Sequence, residues 1–245
     1  PTRWSPEPCS CNDKAKAEAI RWIQRLRASG GTEMRSAVLE AIRSRRSDAQ
    51  RQVILITDGL IGFEKDVIAS IRQSMPDNTR IHCVGISSAP NRSLTEMLAR
   101  SSGGAEILVA LDDDLRQACA RVLSRTAQPL VTHLRLSGSA LLEAPGGISD
   151  LLVGHPALIP VRLWPEGGEL IVNGHSSAGP WEVRTVVSPV SARDNHPMLA
   201  RLFAREMVER LELDACSGQI VDAEIERIGM QFQICLLYTS PSPRD

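Results

Sequence analysis

The sequence predicts an α/β fold in two parts: an open parallel sheet covered by helices, then a β-rich module that carries helices toward its end. Three observations predict it. Short apolar runs alternate with stretches of helical period from residue 13 to about residue 126. From Gln128 the runs become short and alternating, separated by Gly and Pro clusters. A long helical face then returns after "RDNHP". Strict alternation of buried strands with helices implies parallel strands joined by crossovers, whereas short alternating runs between turn signals imply antiparallel pairing.

The elements follow in order. Residues 13 to 29, "DKAKAEAIRWIQRLRAS", place Ala19, Ile20, Ile23 and Leu26 at the spacing of one helical face, with Gly30 and Gly31 as the C-cap. Met34, Val38 and Ile42, with Ala37 and Ala41, mark a second helix that starts beside Thr32. "RQVILITDGLIGF" holds a strand over 52 to 57; Val53 to Ile56 followed by Thr57 read as buried on both faces, with Asp58 and Gly59 at the carboxyl end. A helix around 65 to 74, a strand "RIHCVGI" over 80 to 86, a helix over 92 to 101, a strand in "GGAEILVA" and a helix in "DDDLRQACARVLSRT" complete the first part. In the second part "PLVTHLRLSG", "ALIPVRLW", "GELIVNG" and "WEVRTVV" read as strands. Helices follow near 197–212 and 220–229, and "MQFQI" reads as a last strand. The expected division is therefore 1–126, 127–234 and a separate tail at 235–245.

Composition narrows the partners. A formal net charge of -1 offers no electrostatic footing for nucleic acid or an anionic membrane surface. No apolar run approaches the roughly 18 residues that a membrane-spanning helix needs. Aromatic residues are 3%, so no stacking platform for bases or sugars is expected, and Trp22, Trp164 and Trp181 read as buried area. The six Cys show neither zinc spacing nor a disulfide framework. His82, His133, His155, His175 and His196 are scattered and read as structural or surface residues. Asp112, Asp113 and Asp114 read as an acidic first turn that stabilises the next helix through its dipole. Phosphate-binding, nucleophile-elbow and dinucleotide motifs are absent from the sequence.

Two loops carry the chemistry, "SGGTEM" at 29 to 34 and "ITDG" at 56 to 59. Open parallel sheets bind ligands at the carboxyl ends of their strands, where Asp58 falls. The two loops together resemble the second and third loops of the metal-ion-dependent adhesion site of von Willebrand factor type A domains. That resemblance implies a Rossmann-like parallel-sheet domain holding a divalent cation, usually magnesium, with Thr32 as the hydroxyl ligand and Asp58 as the carboxylate, often through water. Gly30, Gly31 and Gly59 would support the loops. An acidic residue of a protein partner would complete the shell, since magnesium takes six oxygens and retains water.

More of the chain shares the likeness. "AIRWIQRLRASGGTEMRSAVLEAI", the strand into "TDG", "LLVGHP", "LARLFAREMVERL" and "IERIGMQFQI" resemble bacterial relatives of inter-alpha-trypsin inhibitor heavy chains, in which a β-rich domain precedes the type A domain. The resemblance implies an envelope or secreted location. It also implies a truncation at both ends: no D-x-S-x-S loop occurs, and the first strand, first helix and second strand of the domain are expected to be missing, so magnesium binding by this chain should be very weak or nil. Residues 235 to 245, "CLLYTSPSPRD", read as a translated sequencing-library adapter. The expected function is non-enzymatic, metal-dependent protein binding. The alternatives are a structural scaffold with a degenerate, metal-free site and a metal-dependent hydrolase or phosphotransferase built on Asp58. An exposed sheet edge and apolar face predict poor solubility.

Overall fold

The computed structural model describes residues 3–27, 34–43, 49–58, 64–86, 92–126, 129–154, 156–190 and 197–234. The first part runs α1 (Asp13–Gln24), α2 (Met34–Ile42), β1 (Arg51–Thr57), α3 (Glu64–Ser74), β2 (Thr79–Ile86), α4 (Arg92–Ser102), β3 (Glu106–Val109) and α5 (Leu115–Arg125). Its strands form a parallel sheet in the order β1-β2-β3, with Val53 opposite Ile81 and Cys83 opposite both Leu55 and Glu106. No described helix is long and apolar enough to cross a membrane.

The sheet has two unequal faces. Successive strand residues point to opposite sides, so Ile81 and Cys83 face one layer and Val84 the other. The first face holds the main core: Val38 and Ile42 of α2, Ile68 and Ile71 of α3, and Leu94 and Leu98 of α4, with Val53 and Leu55 packed against it. On the second face Val84, Ile107 and Val109 pack on Ala118 of α5. That cover reaches β2 and β3. On β1 the same face leaves Ile54 46% and Ile56 64% exposed. The expectation of a β1 buried on both faces therefore fails, because among the described residues the helical layer on this side does not extend over it.

α1 departs from the expectation as well. It caps at Asn12, whose side chain accepts a hydrogen bond from the Ala15 N–H, but it ends at Gln24, well short of the glycines. Its apolar face is not a core face: Ile20 is 55% and Ile23 59% exposed. Period gives the amphipathic stripe but not the element that covers it.

One turn positions the sheet with unusual economy. β3 begins opposite Cys83, so among the described residues the outer edge of β2 before it has no strand to pair with. The α4–β3 connection takes that place. Ser102 Oγ accepts from the Ile81 N–H at 2.8 Å, the Ala105 N–H donates to His82 Nδ1 at 3.1 Å, and the Cys83 N–H donates to the Ala105 carbonyl at 2.9 Å. Gly104 is required here: a Cβ would lie 1.9 Å from the Ile81 carbonyl oxygen.

The second part holds β4 (Pro129–Ser137), β5 (Leu141–Glu143), β6 (Leu151–Leu152), β7 (Arg162–Leu163), β8 (Gly168–Ser176), β9 (Gly179–Val187), α6 (Pro197–Cys216) and α7 (Asp222–Phe232). The strands are antiparallel, in a four-stranded sheet ordered β6-β4-β8-β9 and a two-stranded one pairing β5 with β7. α6 and α7 share a small core of Ala204, Val208 and Ile228, and the rings of Phe203 and Phe232 sit 6.3 Å apart. "MQFQI" is not a strand. α7 runs through Phe232 and stops at Gln233 in the left-handed conformation, because Ile225, Ile228 and Phe232 carry a helical stripe onto α6. Trp164, read as buried, is 46% exposed.

Candidate functional site

Parallel strands end on the same side, and Asp58 stands at that carboxyl edge as the residue after β1, with an exposed side chain. Among the described residues β1 is the outer strand of its sheet, so the carboxylate lies at a corner of the described edge. Thr32, Gly30, Gly31 and Gly59, the other residues predicted for the site, lie outside the described residues, so the structure neither gathers them around Asp58 nor separates them from it.

The nearby acidic run at the end of β3 is engaged locally. The Asp114 side chain caps α5 by accepting from the Arg116 N–H at 2.8 Å. Asp113 accepts from the Ala110 N–H at 3.2 Å and pairs with Arg121 at 2.6 Å. The Arg121 hydrogen bond holds the Asp113 carboxyl below its ordinary range. These acids precede the helix and do not fill its first turn, a small shift from the sequence reading with the same physical sense: negative charge at a helix N-terminus.

Among the described residues no group of three or more His, Cys, Asp or Glu side chains could hold a metal ion. Asp58 by itself offers one carboxylate to an ion that takes six oxygens, so the described donors do not amount to a magnesium site.

Sequence reasoning missed a second polar cluster, at the opposite end of the sheet. Arg80 Nε and Nη2 donate to Asp150 Oδ2 and Oδ1 at 2.8 and 3.1 Å, and Gln50 Nε2 donates to Oδ2 at 3.1 Å. His82 lies beside them, its Nε2 hydrogen-bonded to Gln52 Oε1. Burial lowers the His82 pKa; the Asp150 charge works the other way and is outweighed. The signal was present: Arg80 and His82 interrupt an otherwise apolar buried strand, and buried charge needs a partner. What the sequence could not supply was the partner, 70 residues downstream.

Residues 1–107 match the family model of the von Willebrand factor type A domain. A von Willebrand factor A domain-containing protein of Dictyostelium discoideum is 23% identical over 94% of this chain, and von Willebrand factor A domain-containing protein 5A of Homo sapiens is 27% identical over 54% of it. The matched regions are 12% and 17% of those relatives' lengths. A solved von Willebrand factor type A structure from Catenulispora acidiphila matches 89% of this chain and 67% of its own, with 14% identity and a TM-score of 0.47. From α1 into β3, over residues 1–107, the chain is similar to von Willebrand factor type A domain proteins.

Proposed function

We propose that the chain is part of a non-enzymatic protein-binding module of the adhesion kind, which binds its partner through a divalent cation in the intact protein. Domains of this family are typically protein-interaction modules and often carry such a cation. The observation that supports the reading is the position of Asp58: an exposed carboxylate directly after the outer parallel strand, within the matched segment. In this reading Asp58 and Thr32 hold part of the shell, a D-x-S-x-S loop elsewhere in the intact protein supplies the rest, and Gly30, Gly31 and Gly59 shape the loops. The bound cation would supply a Lewis-acidic position for a partner's carboxylate. We further infer kinship with proteins that pair a β-rich inter-alpha-trypsin-inhibitor-type domain with a type A domain, and from it an envelope or secreted location.

The experiment passes the intact gene product over a surface bearing a glutamate-rich peptide, with magnesium and then with EDTA. The expected outcome is binding that needs magnesium and is lost in Asp58→Ala. Binding unchanged by EDTA and by the substitution would favour a metal-free scaffold instead.

A further inference from the structure

The two parts of the chain meet at the amino-terminal end of the parallel sheet and along α3 and α4, away from Asp58. Charged contacts among the described residues mark the junction. The segment between β5 and β6 brings Asp150 under the Arg80 fork, where the two side chains are only 9% and 6% exposed. α6 lies on α3, with Arg72 donating to Asp214 Oδ1 at 3.0 Å and to the Leu213 carbonyl. Arg100 of α4 reaches Glu206 at 2.9 Å and Glu209 at 2.6 Å on the same helix. Between these ties lies a cavity of about 400 Å³ lined in part by Arg80, Arg100, Asp150, Glu206 and Arg210.

The apolar contacts go further than the charges. Leu213 and Cys216 of α6, 4% and 8% exposed, belong to the main core of the first part, alongside Ile71, Leu94 and Leu98. A helix that contributes buried side chains to another unit's core is energetically part of that unit. The charged ties add register. A two-bond fork between a guanidinium and a carboxylate fixes orientation as well as distance, and with both groups buried the loss of one would strand the other.

We propose that the amino-terminal end of the sheet, with the α3–α4 face, is a docking surface for the second part of this same chain. The surface closes on Asp150 and α6, so that the two parts unfold as one cooperative unit. The carboxyl edge, about seven strand residues or on the order of 20 Å away, lies apart from these contacts. The inference is independent of any metal at Asp58.

Native-state hydrogen exchange on the full chain tests it, comparing wild type with Leu213→Ala and Asp150→Asn. Leu213→Ala should lower protection in α6 and at Ile81 to Val84 of β2 by the same factor, on the order of a hundredfold. Asp150→Asn keeps the side-chain volume and one acceptor; it should lower protection of the 144–152 segment and of β2 together, by about tenfold. If Leu213→Ala does not fold, Asp150→Asn alone decides the matter. Faster exchange confined to α6, or to the 144–152 segment, with β2 unchanged, would overturn the proposal.

Discussion

Ser102→Ala isolates the contribution of one hydroxyl to the edge of a parallel sheet. Ser102 is 7% and Ile81 0% exposed, and the serine oxygen is 2.8 Å from the Ile81 N–H at a point where β3 has not yet begun. The same hydroxyl donates back to the Ala99 carbonyl at 3.1 Å. Alanine removes the acceptor and leaves the buried Ile81 N–H without its partner. A stranded buried donor costs about 1–3 kcal/mol, so the expected loss is about 2 kcal/mol. For a chain of this size that is a fall of roughly 4–8 °C in melting temperature. The gain in helix propensity from Ser to Ala is small, because the residue closes the last turn of α4. Urea denaturation of the variant beside Ser101→Ala provides the assay. Ser101 donates within its own helix, to the Leu98 carbonyl at 2.7 Å, and its loss should change stability by no more than about 0.5 kcal/mol. Equal stabilities for the two variants would refute the claim that a turn hydroxyl stands in for the missing strand.

Three further outcomes follow from the same geometry. Gly104→Ala places a methyl group against the Ile81 carbonyl, where only backbone movement makes room; a loss of about 3 kcal/mol is expected in thermal melts, and a wild-type melt would contradict the crowding. His82 has a folded-state pKa below its unfolded value of about 6.5, so the unfolded chain takes up a proton that the folded chain refuses. Its contribution is therefore fully present above the unfolded pKa and is lost below it, as pH falls through the lower folded pKa; melts at pH 8 and 5.5 should show a steeper fall for wild type than for His82→Gln, and equal slopes would exclude His82 as the source. The Cys83 thiol, pushed up to about 12 chiefly by burial and then by the Glu106 charge, should resist iodoacetamide at pH 8 while exposed Cys9, Cys11 and Cys119 react; mass spectrometry of native protein reads this directly.

The elements whose signals are local were legible. β2 runs over 79–86 against an expected 80–86, and α3 over 64–74 against 65–74, since their apolar periods and flanking turns lie within a dozen residues. What failed depends on neighbours. "VILIT" is as apolar as a central strand, yet its outer face at Ile54 and Ile56 lacks a helical layer among the described residues. The Ile20 and Ile23 stripe is a good amphipathic face without a described covering element. "MQFQI" alternates like a strand over five residues, but its Phe232 continues a stripe begun at Ile225, and tertiary contact with α6 decided the matter. At the candidate site, only the place of Asp58 was legible: the apolar run of β1 ends just before it, which puts the carboxylate at the sheet's carboxyl edge. The Arg80–Asp150 fork was half legible, through a charge misplaced in an apolar strand, and its partner was fixed only by the return of the chain from the second part.

Manganese titration of the intact gene product, followed by electron paramagnetic resonance, tests the central claim most directly, with wild type compared to Asp58→Ala and Thr32→Ala. The account predicts one bound manganese per chain in wild type, displaced by magnesium, and weakened at least about tenfold when either oxygen ligand is removed. Stoichiometric manganese binding that is indifferent to both substitutions, or no binding by the wild-type product, would contradict it.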